Sequence, residues 1–230
     1  MKVKIPSEII YIVSLTLVAL AVALLTSSDL GLSMVVAPAY LVSLKLDFLS
    51  FGTAEYVVQA IVFLIFCIIM RKIRPIFFTA FLSALLYGAI LDLWRLLPLF
   101  DPAVTPVGSM AMPQRIALFA SGMLLMCFSV ALSFRTYLYP QVYDFFVKGI
   151  SAHFKLNRTR FKQCFDASCL LVSCILTLAL FRRFVGIGAG TLVITLCNGF
   201  LIGIFSDFFD KHLKAEALFP RFAACFDLEG

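Results

Sequence analysis

NGFLIGIFSD, residues 198–207, closes a long apolar run with an aspartate, and SALLYGAILD, residues 83–92, does the same 115 positions earlier. Each phrase sets a glycine four residues before the acid, Gly203 before Asp207 and Gly88 before Asp92. KLDFLSF (45–51) lies over KLNRTRF (155–161) at an offset of 110, and the five-residue difference falls naturally at the glycine-rich GIGAG, 186–190. These matches make the chain two copies of one unit, with repeat 1 at about 8–97 and repeat 2 at about 114–213.

Working outward, the composition fixes the class. The chain is 62% hydrophobic and 14% charged with a mean hydropathy of +1.03, far more apolar than a soluble domain. A single membrane domain over 1–230 follows, with the lipid bilayer as solvent. Six segments are long enough to cross it as helix: 8–26, 52–70, 76–97, 114–134, 163–182 and 187–209. Pro75 and Pro113 stand where first helical turns begin, and Pro98 follows the third span. An Ala21-Val22-Ala23 sequence after the first apolar core resembles a signal-peptide cleavage site. Cleavage there would delete a span the repeat requires, so the first run is read as a helix of the bundle.

Lys and Arg set the orientation. With the N-terminus inside, 14 of the 19 fall on the inner side, leaving Lys45, Arg95, Arg115, Arg182 and Arg183 outside. Both termini are therefore expected in the cytoplasm. The net charge of +6 has its source in this bias, and no basic, aromatic-interleaved surface points to nucleic acid. The seven cysteines form no CxxC pair and no Cys/His ligand spacing, and they read as small packing residues.

Each unit reads span, long link, span, short link, span. The two long links, 27–51 and 135–162, are rich in apolar and aromatic residues, which suits short interfacial or re-entrant helices. Three spans per unit is an odd number, so the second copy enters from the opposite side. The expected fold is thus all-α and polytopic, six transmembrane helices as two inverted three-helix repeats. In that construction substrate binds near the midplane, where the halves meet.

The stretch from Phe165 to His212 resembles the C-terminal half of the YczE/YyaS/YitT family of bacterial integral membrane proteins. The resemblance is carried by Asp166 opening the span, GxGxGT at Gly186–Thr191 and NGxxIG at Asn198–Gly203. In the first half it is carried by SFGT (Ser50–Thr53) and the phrase ending GAILD. The link LGLSMVVAPAYLVS and the turn RKIRP depart from the family pattern. The resemblance implies a multi-pass protein of the bacterial cytoplasmic (inner) membrane, and it implies no substrate.

Polar residues within spans are costly and focus the search for chemistry. Glu55 and Gln59 are four apart and share one face of the second span; a partly desolvated carboxylate there can exchange a proton or bind a cation. An interfacial Glu reaching water is the plainer explanation. Asp92 and Arg95, three apart, suit an intrahelical ion pair, and Asp166 suits the positive end of the fifth span. Asn198 is mid-span without a charged neighbour and needs a partner across helices. Glu55, Gln59, Asp92, Asp166 and Asn198 are the candidate substrate-binding residues.

GIGAGT has neither a preceding strand nor a following GK[ST], so a close-packed helix turn explains it better than a phosphate loop. With only His153 and His212, and no HExxH or GxSxG, the chain reads as no enzyme, and no cofactor or metal is expected. The expectation is a secondary transporter of a small-molecule or ion substrate, with Glu55 or Asp92 as the coupling carboxylate. The alternative is a membrane-embedded substrate-binding or accessory subunit. A homodimer or a partner membrane protein is open in both.

Overall fold

The structure, a computed structural model, describes residues 3–46, 48–71, 77–106, 109–138 and 141–223. In chain order its elements are β1 (Val3–Pro6), α1 (Ser7–Ser28), α2 (Ala37–Lys45), α3 (Phe51–Met70) and α4 (Phe77–Arg95). They continue with α5 (Met112–Ser133), α6 (Val142–His153), α7 (Arg158–Phe181), α8 (Ala189–His212), β2 (Leu213–Glu216) and α9 (Pro220–Ala223). Six helices, α1, α3, α4, α5, α7 and α8, are long and apolar enough to cross a membrane. The protein is all-α and multi-pass by length and hydropathy, as the sequence leads one to expect. Pro113 lies in the first turn of α5, where its missing N–H costs nothing. Pro75 lies outside the described residues.

α1 is the most deeply buried of the six and packs antiparallel against α5. Its run of Ala19, Ala21 and Ala23 keeps its surface low, and Gly122 of α5 seats on it: a Cβ there would lie 3.0–3.2 Å from Leu25, Leu24 and the Ala21 carbonyl. Arg115 at the start of α5 donates to the carbonyls of Ser28 (2.8 Å) and Asp29 (2.6 Å) and to the Asp29 carboxylate (3.1 Å). A guanidinium there satisfies the orphan carbonyls that end α1 and complements its negative pole. The glycine turn packs on the same end. Gly190 N–H donates to Leu30 O at 2.9 Å, and Leu32 N–H to Gly186 O at 3.1 Å. Gly31 has φ +135°, and a Cβ on it would sit 2.5 Å from Thr191 N, so the close approach requires glycine.

At the opposite end β1 and β2 pair in parallel, from Val3 opposite Leu213 to Pro6 opposite Glu216. Because β1 runs into α1 and β2 leaves α8, the first span begins and the last ends at the same end of the bundle. An even number of crossings requires this. Hydrogen bonds from Lys4 and Lys214 hold the exposed Glu216 carboxylate below its usual range. Glu8 ties the segment after β2 down, accepting from the Leu218 N–H (3.1 Å) and the Tyr137 hydroxyl (2.6 Å).

Both long links contain a helix, and both helices are buried in the protein. α2 buries residues 37–41 against α3 and α7. α6 buries eight of its 12 residues against α3, α4 and α7. Val142 at its start bonds Gln59, while Gly149 sits against the Phe66 ring. Seven residues of α6 thus run alongside seven of α3 in the same direction, between the ends of the spanning helix. Phe66, Phe77 and Phe145 interlock below, with ring centroids 4.7–5.3 Å apart.

Candidate functional site

The first turn of α3 is fixed before its polar residues are placed. Ser50 caps the helix, its hydroxyl accepting from Thr53 N–H at 3.1 Å. Asp92 of α4 takes the next orphan donor, with Oδ1 accepting from Gly52 N–H at 2.7 Å and Oδ2 from the Ser50 hydroxyl. This replaces the expected Asp92–Arg95 pair: both carboxylate oxygens are engaged by donors at the start of α3, which would otherwise be orphaned there. Arg95 instead lies over the Phe51 ring, 5.4 Å from its centroid.

One turn into α3, Glu55 and Gln59 are completely buried, with 0% exposure each. They do not reach water as an interfacial carboxylate would. The Tyr143 hydroxyl of α6 donates to Glu55 Oε2 at 3.1 Å, and the Val142 N–H donates to Gln59 Oε1 at 3.0 Å. Tyr87 of α4 is likewise fully buried and within electrostatic reach of Glu55. Three atoms in this cluster have no hydrogen-bond partner: Glu55 Oε1, Gln59 Nε2 and Tyr87 Oη. An unpartnered buried polar atom costs about 1–3 kcal/mol, so three together single this cluster out as the candidate site.

The site is built by a helix end. Val142 and Tyr143 are the first two residues of α6, whose N-cap residue, Gln141, makes no side-chain cap bond. Gln59 of α3 takes that role by accepting from the Val142 N–H, so the positive pole of α6 faces Glu55 and Gln59 from inside the protein.

The other predicted residues lie elsewhere. Asp166 is in the third turn of α7, since that helix starts at Arg158 rather than near 163; it is not at the helix's positive end. It pairs with Lys162 at 3.6 Å, and Lys162 also meets Asp144 of α6 at 3.6 Å, so the three bind α6 to α7. Cys169, one turn further on, is within electrostatic reach of both Asp166 and Glu55. Asn198 accepts from the Cys127 thiol at 3.0 Å across the α5–α8 interface. That provides the cross-helix partner it needed, and separates it from the α3 cluster. Tyr87 and Tyr143 were missed by the sequence reading. A tyrosine inside LLYGA had to find a partner for its hydroxyl, and that signal was legible. Tyr143 gave none, because nothing local says that its link folds inward.

An open, mostly apolar cleft of about 630 Å³ lies against α5, lined by Leu99, Met110, Gln114, Leu118 and Ser121 among others, and none of the cluster residues borders it. Among the described residues, no three His, Cys, Asp or Glu side chains converge as a metal site.

No curated protein and no solved structure matches the chain. A family model described as a family of unknown function, DUF6198, matches residues 5–207. That range takes in the first five spans, α8 as far as Asp207 and every residue of the cluster, and the chain belongs to this family.

Proposed function

We propose that the protein is a secondary transporter that moves a small polar or charged solute by alternating access, with the Glu55–Gln59–Tyr87 cluster as its binding site. The observation that carries the reading is the set of three unpartnered polar atoms, buried on α3 and α4 beside the start of α6. A purely structural cluster would have closed its hydrogen bonds or been replaced by apolar side chains.

The inverted-repeat arrangement belongs to this proposal and has several supports. α1 runs antiparallel to α5, and α1 packs on α4 as α5 packs on α8. α6 packs on α3 as α2 packs on α7, each re-entrant helix on the second span of the other half. α3 and α7 both end on left-handed arginines, Arg71 (φ 49°) and Arg182 (φ 54°). The halves differ around α4 and α8: α4 packs on α3 at Gly52 and Gly88 and also meets α6, whereas among the described residues α8 packs on neither α7 nor α2, and Gly203, the counterpart of Gly88, faces open space. We place both termini in the cytoplasm of a bacterial inner membrane, on the Lys and Arg bias and the likeness to the YczE/YyaS/YitT family.

A second reading, an accessory or substrate-capture subunit working through a partner, is favoured by α8. Gly199 and Gly203, four apart, have nothing within 4 Å, a small-residue face of the kind other membrane helices pack against. The test is purified protein alone in liposomes on a solid-supported membrane, given concentration jumps of small polar solutes. A transporter gives a current or uptake that Glu55→Gln abolishes. Uptake that needs a co-reconstituted partner supports the accessory reading instead.

A further inference from the structure

Resting on the reading of this cluster as the substrate site, we infer that its ligand is a small organic cation bearing N–H donors, a primary ammonium or amidinium, beside an oxygen acceptor. Each unpartnered atom constrains the choice. Glu55 Oε1 can only accept when ionised, so the ligand presents a donor there. The orientation of Gln59 is set by Val142, whose N–H takes Oε1 and leaves the NH₂ group free. The ligand therefore also presents an acceptor, one helical turn away from the first contact. Tyr87 Oη can serve either end.

These requirements exclude neighbouring classes. A bare metal ion would suit Glu55 and Tyr87 but would meet the wrong face of Gln59, a donor. A carboxylate or phosphate would suit Gln59 and be repelled at Glu55. A quaternary ammonium carries the charge without the N–H that Oε1 calls for. A neutral amide satisfies both hydrogen bonds, so charge must decide against it.

Glu55 has no ion-pair partner among the described residues, and the Tyr143 hydroxyl donates to its Oε2; a cation at Oε1 supplies the counter-charge that a buried carboxylate needs in order to ionise. The seam between α6 and α7 adds no surplus positive charge at its ion pair, where Asp144 and Asp166 share Lys162. The one charge the cluster itself can carry is negative, and it has no counter-ion until a cation arrives.

The test uses the full-length protein in detergent, with thermal stabilisation and calorimetric titration by four probes: ethanolamine, choline, acetamide and acetate. Ethanolamine is expected to stabilise and bind, with choline, acetamide and acetate each weaker by about tenfold or more, as losing one charged hydrogen bond implies. Glu55→Gln and, separately, Gln59→Leu are each expected to weaken ethanolamine by a similar factor. If Glu55→Gln does not fold, the Gln59→Leu variant and the ranking of probes on the unmodified protein still decide the matter. Choline, acetamide or acetate equalling ethanolamine, with binding still lost in the variants, overturns the ligand class and leaves the site standing. No response to any probe, together with a rise in melting temperature in Gln59→Leu, overturns both.

Discussion

Gly52 of α3 and Gly88 of α4 meet backbone to backbone: a Cβ on Gly88 would lie 2.5 Å from the Gly52 carbonyl oxygen, and one on Gly52 would collide with the Gly88 carbonyl. The contact sets the crossing of the two helices and brings Asp92 over the start of α3. Gly88→Ala is expected to destabilise the protein by about 1–3 kcal/mol, the cost of overpacking a close contact. Gly203→Ala, the same change in the matching phrase of the second half, is expected to be neutral or to stabilise by up to about 1 kcal/mol from helix propensity alone. Thermal unfolding of the two variants in one detergent checks the contrast. Equal losses would place Gly203 in a contact that the structure does not have.

Asp92 is a cap for a neighbouring helix rather than half of an ion pair. Asp92→Ala removes two hydrogen bonds to a carboxylate and is expected to cost about 2–3 kcal/mol. Arg95→Ala should cost clearly less, because the guanidinium lies over an aromatic ring and makes no ion pair within 4 Å among the described residues. Denaturation midpoints of the two variants, measured side by side, test the assignment.

The parallel pairing of β1 and β2 sets Lys4 opposite Lys214. In a protein with its native cysteines replaced, Lys4→Cys with Lys214→Cys is expected to cross-link under mild oxidation within one chain. Lys4→Cys with Arg115→Cys, at opposite ends of α5's neighbour α1, should not. Gel mobility under non-reducing conditions reads both.

Glu55 and Tyr143 are directly coupled by their hydrogen bond. A double-mutant cycle of Glu55→Gln and Tyr143→Phe, followed by thermal unfolding, is expected to give a coupling of about 1–2 kcal/mol. A cycle of Glu55→Gln with Asn198→Ala should be additive within about 0.5 kcal/mol, since the structure puts those residues at different interfaces.

Much of this architecture was legible from the spacing of apolar runs. Six spans, the proline in the first turn of α5 and the helices hidden in both links follow from hydropathy and backbone chemistry. What hydropathy could not see were polar helical turns. α7 begins five residues before its apolar run, with Asn157 accepting from Arg160 N–H at 3.1 Å, and that shift moves Asp166 off the helix end. The i, i+3 rule paired Asp92 with Arg95 because it considers one helix at a time, while the orphan donors of α3 lay in another. In the site, Glu55 and Gln59 stood out as polar groups in apolar surroundings. Tyr143 and the Val142 N–H did not, since their role depends on where a link folds. The pairing of β1 with β2 joins residues some 210 apart and left no local trace.

The claim that this buried cluster is a transport site is tested most directly by access to it from each side of the membrane. Gln59→Cys in a cysteine-free protein, reconstituted in liposomes, is probed with a membrane-impermeant thiol reagent from outside and, separately, from the lumen. The account predicts labelling from both sides, slowed from both by a bound ligand. A thiol that stays unlabelled from either side, in protein that remains folded and in the membrane, would contradict it.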